Sequence, residues 1–488
     1  MLIIFFMLAR RLFSILLVLI TVPGITPYIH AAPANVKLSG KIINPTADSI
    51  EVSYNDNNLA YYPKKFSTHL DKKGSFKLSF PVPVNVYTIV QIAYADRLAD
   101  IIVSTGDSLV MTVNAKRFDS SVNYAGRGAN IQNFLAAHVL KRGRINQYPN
   151  NVKNQLQKEP KEFLKAIENE NNLEQAMAEK WTPALPPSFT GYWRTFHLYY
   201  NYFFTQQYPL ARQMVKLRRY TDTIPPENYE VVKSMPVVFN DSFLQVPSYL
   251  LYLTGVLEIG LKADGYTVLG KDTTKYMQFE DSVYKLAYKV LPDKSLEYFL
   301  AQNIYGRAKT QRLARTEAQL TTFKQRWPAS TYMPLLDKQV GLARRLAPGQ
   351  PAPDMEIHTA DGKIMKLSDL KGKVVYLGFW AGWCRQCVGE MINERMVKDL
   401  IRKKPLEFVY ASIGTDTAGE WGVIERYRID GLYTNLFSGW NAKEVQDYGV
   451  QSLPAYYLID EDGNFALQRT PSPMQTTELV MEIEKLFK

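Results

Sequence analysis

The sequence predicts a multidomain chain in three parts: a small all-β, sandwich-like domain over residues 35–125, an all-α region over 129–345, and a C-terminal α/β domain over 349–488. Three observations carry that division. In the first part, apolar and polar residues alternate in short runs between frequent turn signals. In the second, apolar residues recur at helical spacing. In the third, an apolar run of strand length passes directly into an amphipathic helical pattern.

The first part alternates at Ile50-Val52-Tyr54 and Phe76-Leu78-Phe80, the period of a half-buried strand. Val86 to Ile92, Leu98 to Val103 and Leu109 to Val113 supply further strands. Asn44-Pro45, Asp71 to Gly74 and Gly106-Asp107-Ser108 mark the turns. Phe279, Val283, Leu286 and Val290 show the helical period of the second part, and Pro292, Pro328 and Pro334 interrupt its long patterns. Nine of the seventeen residues from Tyr192 to Tyr208 are aromatic and cover more than one helix face. They make either a groove for unfolded or peptide clients or a buried helix at an interface. Leu346 to Pro353 is a compact Pro- and Gly-rich linker that opens the third part.

Ahead of these parts, Arg10 and Arg11 precede the apolar stretch Leu12 to Ile20, then Pro23, Gly24, Pro27 and the A-x-A-like Ala32-Pro33-Ala34. This is the pattern of a secretory signal over residues 1–34; a retained membrane anchor is the alternative. The chain carries a net charge of +11, of which about +13 falls on residues 35–348 and −4 on 349–488. An exported chain does not meet nucleic acid. Its basic excess either faces anionic envelope surfaces or acidic clients or, as the plainer reading, solvates helix faces such as Lys216-Arg218-Arg219 and Arg344-Arg345.

Of 488 residues only two are cysteines, Cys384 and Cys387, so neither a disulfide-stapled scaffold nor a four-cysteine zinc site is available. Lys373 to Trp380 reads as a buried strand; after Cys387, the residues Val388, Met391, Ile392, Met396, Leu400 and Ile401 mark one face of a helix. The pair thus lies where a strand ends and a helix begins. Free backbone N–H groups and the helix dipole stabilise a thiolate there, and Arg385 adds positive charge. Cys387, one turn further on, is placed to close a disulfide on Cys384. A metal site would need more ligands, and His69, His138, His197 and His358 are scattered with no ligand spacing. A structural disulfide closing so short a loop would constrain little of the unfolded chain.

With these residues in view, the last 140 residues resemble the TlpA/ResA-like thiol–disulfide oxidoreductases of the thioredoxin superfamily. The matching features are Pro348 to Pro353, the F-W-A-x-W-C-x-x-C run from Phe379 to Cys387, and Ser452-Leu453-Pro454 before the strand Ala455 to Ile459. The order of Leu406 to Ile413 as a strand, Asp460 to Gly463 as a turn and Thr476 to Phe487 as a closing helix also fits. The resemblance implies a thioredoxin-like fold, Cys384 and Cys387 as the catalytic pair, and Pro454 as a cis-proline facing them. It also implies that Trp383, Leu453 and Pro454 receive an incoming client strand. Glu390 matches a glutamate that this branch carries beside its active site, where a carboxylate could move the proton of Cys387. Three positions depart from the pattern: Gly378 stands where thioredoxins place a buried acid, Gln386 replaces the usual proline between the cysteines, and Ile392 replaces a helix-kinking proline.

The expectation is a periplasmic thiol–disulfide oxidoreductase, reducing disulfides of exported protein clients with electrons from an envelope donor. It needs no metal or cofactor beyond the redox-active Cys384–Cys387 pair, binds no nucleic acid, and touches membrane only through its signal or anchor segment. The alternatives are a thiol peroxidase on the same fold, which lacks the P-x-x-x-T-x-x-C setting here, and an envelope binding or assembly protein with an accessory redox domain.

Overall fold

A computed structural model describes residues 34–487, apart from 56–58, 60–62, 85, 145–153, 218–223, 265–272, 309–312, 359–362, 402–403, 415 and 468–469. The expected signal segment up to residue 33 lies outside the described residues, as do Arg218 and Arg219 of one basic cluster, whereas the segment's last residue, Ala34, opens the first strand. The chain divides into two compact units, Met1–Phe299 and Leu300–Lys488. No helix among the described residues is long and apolar enough to cross a membrane.

The first unit begins with eight strands: β1 (Ala34–Ile43), β2 (Ser49–Tyr54), β3 (Lys64–His69), β4 (Ser75–Val82), β5 (Thr88–Tyr94), β6 (Arg97–Val103), β7 (Ser108–Asn114) and β8 (Asn123–Arg127). They form two four-stranded sheets, ordered β4-β1-β7-β8 and β3-β2-β5-β6. Only β1 and β7 pair in parallel. Along β2 the side chains alternate between half-buried and buried, so that Ile50, Val52 and Tyr54 point inward as the sequence pattern predicts. One core takes Leu38, Phe80 and Leu109 from the first sheet and Val52, Val90 and Ile101 from the second, which makes the domain a sandwich.

Helices α1 (Ala129–Arg142), α2 (Pro160–Trp181), α3 (Pro187–Leu217), α4 (Pro247–Ala263) and α5 (Thr273–Val290) follow, and the unit boundary falls inside α6 (Asp293–Arg307). Proline occupies the first turn of α2 and α4, where its missing N–H costs nothing. The aromatic segment lies in α3. Its Tyr192, Trp193, Phe196, Tyr199 and Tyr208 are buried, and Tyr199 packs edge-on against Tyr249 of α4 with ring centres 4.8 Å apart. Of the two readings of this segment, the structure shows a packed helix. Helix α1 is tied to the sandwich by Gln132, which donates to Ile102 O at 2.7 Å and accepts from Ile102 N at 3.1 Å. The side chain thereby satisfies both backbone groups of an edge strand, β6.

In the second unit, α7 (Leu313–Arg326) and α8 (Met333–Arg345) precede strands β9 (Glu356–His358), β10 (Ile364–Lys366), β11 (Val374–Trp380), β12 (Leu406–Ser412), β13 (Leu432–Asn435) and β14 (Ala455–Ile459). The sheet order is β10-β9-β13-β12-β11-β14, with β11, β12 and β13 parallel and β14 antiparallel to β11. Helices α9 (Arg385–Leu400), α10 (Thr417–Tyr427), α11 (Lys443–Asp447) and α12 (Thr476–Lys485) connect and close it. Every residue of β11 is buried, which is why its sequence is an unbroken apolar run. The Pro- and Gly-rich linker is not a loose tether. Gly349 N donates to Phe465 O and Ala352 N to Gly463 O, which fastens it to the predicted Asp460–Gly463 turn.

Candidate active site

The active segment lies at the carboxyl end of β11. The strand ends at Trp380, the chain turns through Ala381 and Gly382, and α9 starts at Arg385 with Cys384 as its N-cap. Cys384 and Cys387 form a disulfide with Cα atoms 5.3 Å apart. The Cys387 N–H points at Cys384 Sγ at 3.2 Å, so one unpaired amide of the first helical turn already faces the sulfur. That amide and the helix dipole favour negative charge on Cys384 once the disulfide opens. The two sulfurs differ in access. Cys384 is 8% exposed and Cys387 is fully buried, which leaves Cys384 as the sulfur an incoming thiol or disulfide can reach.

The register of β14 on β11 brings the second predicted element to the same place. Ala455 lies opposite Phe379, so Leu453 and Pro454 enter the sheet beside the turn that carries the cysteines. The Leu453–Pro454 peptide bond is cis, as the resemblance implies. Trp383 is 65% exposed next to Cys384, and Phe437, at 73%, and Trp440 are exposed in the segment after β13.

Helix α9 differs from its sequence pattern in an informative way. Met396 and Leu400, placed on its inner face by periodicity, are exposed. The buried face is instead Cys387, Glu390, Met391, Glu394 and Val397. Hydropathy could not select that face, because two glutamates lie in it and only their hydrogen-bond partners make their burial tolerable. Glu390 Oε1 accepts from Gln386 Nε2 at 2.9 Å, while its Oε2 is buried without a hydrogen-bond partner among the described residues. Glu394 accepts a hydrogen bond from the Tyr410 hydroxyl on β12. Burial pushes the Glu394 carboxyl up to about 8, against the opposing pull of the Tyr410 hydroxyl and the Lys398 ammonium, with the Glu390 charge adding to the rise.

Gly378 has a local cause. A Cβ at this position would come within 3.2 Å of the Tyr456 ring, which lies across it on β14. Burial first, then the charges of Glu390 and Glu394, raise the Tyr456 hydroxyl above its ordinary range. A side chain at 378 would therefore press on the Tyr456 ring, and the two buried acids near it come from helix α9 instead.

Sequence reasoning did not single out Glu420. From α10 its Oε1 accepts from Gly382 N at 3.4 Å and its Oε2 from Asn435 Nδ2 at 3.0 Å. It thus braces the turn before the cysteines. Beside it a cavity of about 230 Å³ is lined by Trp380, Trp421, Tyr433, Asn435 and Phe437. No local signal marks Glu420, since its contacts are 38 and 15 residues distant.

Comparison with known proteins agrees with this geometry. Residues 347–478 match the Redoxin family model. Over 120 residues the chain is 31% identical to the thiol-disulfide oxidoreductase ResA of Bacillus anthracis, covering 25% of this chain and 68% of that protein. The chain belongs to the ResA-like thiol–disulfide oxidoreductases. Over 134 residues it is also 33% identical to the thioredoxin-like protein YneN of Bacillus subtilis, covering 27% of this chain and 74% of the relative. Among solved structures, the thioredoxin domain of a Bacteroides vulgatus thiol-disulfide oxidoreductase is 21% identical with a TM-score of 0.27, covering 29% of this chain and 99% of that one. By its ResA and YneN relatives the chain is a thiol–disulfide oxidoreductase of the thioredoxin superfamily, and the Redoxin match lies within its second unit.

Proposed function

We propose that the protein is a periplasmic reductase of disulfides in exported protein clients. The observation that carries this reading is the asymmetry of the pair: Cys384, at a helix N-terminus, keeps a little exposure, and Cys387, one turn behind it, has none. In the reduced state the Cys384 thiolate attacks a client disulfide, forming a mixed disulfide and releasing one client thiolate. The Cys387 thiol gives up its proton and attacks Cys384 Sγ, closing the internal disulfide and releasing the second client thiol. Glu390, on the same buried face as Cys387, takes that proton. Trp383, Leu453 and Pro454 receive the client backbone and side chains beside the sulfur. An envelope thiol donor then returns two electrons to the pair. The signal-like N-terminus supports the location, and its processing decides between a free and a membrane-anchored form.

The test is reduction of insulin disulfides by the wild type and by Cys384→Ser, together with capture of clients on Cys387→Ser. The expected outcome is loss of activity in the first variant and accumulation of mixed disulfides on the second. Equal insulin reduction by wild type and Cys384→Ser would overturn the reading.

A further inference from the structure

Far from the cysteines in sequence, three helices of the first unit bring together the two buried histidines that the sequence leaves dispersed. His138 of α1, Glu174 of α2 and His197 of α3 each offer one ligand atom, and these atoms lie within 4.8 Å of one another. Their side chains are 1%, 1% and 2% exposed. Glu174 Oε2 is 2.9 Å from His138 Nε2 and 3.7 Å from His197 Nε2. Two ligand atoms about 2.1 Å from a tetrahedral zinc ion stand about 3.4 Å apart, and the two measured separations bracket that value.

The surroundings have the form of an outer shell around such an ion. His138 Nδ1 faces the Gly143 carbonyl at 3.0 Å; an N–H donated there leaves Nε2 as the lone-pair nitrogen directed at the cluster. Arg142 Nε donates to Glu174 Oε1 at 2.7 Å, which fixes the carboxylate with Oε2 turned to the two rings. Trp193 covers both rings, with centroid distances of 4.4 Å to His197 and 5.2 Å to His138. The fixed charges leave room for a cation: Glu170 and Glu174 face one guanidinium, Arg142, so the trio carries one net negative charge. Two imidazoles and one carboxylate select a zinc-class ion over magnesium or calcium.

We propose that His138, Glu174 and His197 form a buried site for one divalent transition-metal ion of the zinc class, which crosslinks α1, α2 and α3. No substrate path to these atoms is needed, and the role is structural.

The test uses the full chain without an affinity tag, with the Cys384–Cys387 disulfide kept oxidised so that no thiolate can bind metal. After chelator treatment it is titrated with Zn²⁺, and separately with Co²⁺ as a spectroscopic probe. One ion per chain is expected, with visible Co²⁺ bands of nitrogen and oxygen ligation and a raised melting temperature. His197→Ala should weaken binding at least a hundredfold, whereas His69→Ala, at an 83% exposed side chain, should leave it unchanged. Should His197→Ala not fold, ¹⁵N-histidine spectra of the wild-type chain decide. Two imidazoles that shift on Zn²⁺ addition support the site. Resonances of His138 and His197 that ignore Zn²⁺ overturn it, as does stoichiometric uptake unaffected in a folded His197→Ala.

Discussion

Glu394→Gln should remove most of the alkaline loss of stability in the second unit. An unpaired glutamate in the unfolded chain titrates near 4.5, whereas Glu394 in the fold is pushed up to about 8, chiefly by burial. Because the folded value is the higher one, the native state holds its proton longer than the unfolded chain does. The associated stability is complete below about pH 4.5 and is lost as pH rises toward about 8. At about 1.4 kcal/mol per pH unit, that gap amounts to about 5 kcal/mol when ionisation is complete and about 3 kcal/mol at pH 7. Other groups face the carboxyl: Lys398 and Glu390 on its own helix, Tyr410 on β12, Tyr376 on β11, and Tyr433 and Tyr456 on the neighbouring strands. Glutamine stays neutral and keeps an acceptor for the Tyr410 hydroxyl. The assay is native-state hydrogen exchange of the oxidised full chain, read on peptides from β11 and β12 and corrected for intrinsic rates. Between pH 5 and pH 8 the wild type should lose about 3 kcal/mol of opening free energy relative to Glu394→Gln. Parallel pH dependences, within about 0.5 kcal/mol, would refute the reasoning.

Three further outcomes are expected. Glu390→Gln should slow disulfide reduction by about 10–100-fold with unchanged circular dichroism, since it removes a positioned proton acceptor; a wild-type rate would end that role. Gly378→Ala should cost the second unit about 1–2 kcal/mol in urea unfolding, because Tyr456 is itself stacked on Tyr376 at 5.3 Å and has little room to yield. An unchanged midpoint would show that the ring moves. Gln132→Ala should cost the first unit about 2–4 kcal/mol by leaving the buried N–H and C=O of Ile102 without their side-chain partner. Unaltered exchange at β6 would contradict this.

Much of the fold was legible because its elements are specified by local period. The alternation at Ile50-Val52-Tyr54, the apolar run ending at Trp380 and the turn at Asp460–Gly463 all appear where their patterns place them. The strands β1, β3, β8, β9, β10 and β13 are not among those the sequence reading marks: β3 has no buried residue, β8 contains a glycine, and β9, β10 and β13 are only three or four residues long. At the site, the cysteine pair and Pro454 are sequence-local features and were readable. Glu394 and Glu420 were not, since a charged residue reads as surface until its partner on another element is known.

What the chain's sequence alone settled is therefore the redox chemistry: two cysteines, one turn apart, between a buried strand and a helix. Tertiary structure decided which sulfur is reachable, which face of α9 is inward and where its carboxylates find partners. It also decided that His138 and His197 meet across Glu174, although 36 and 23 residues of chain separate them from it. Periodicity reports which side of one element is apolar. Only the packing of several elements brings polar groups within bonding distance inside a core, and there their charges acquire chemistry.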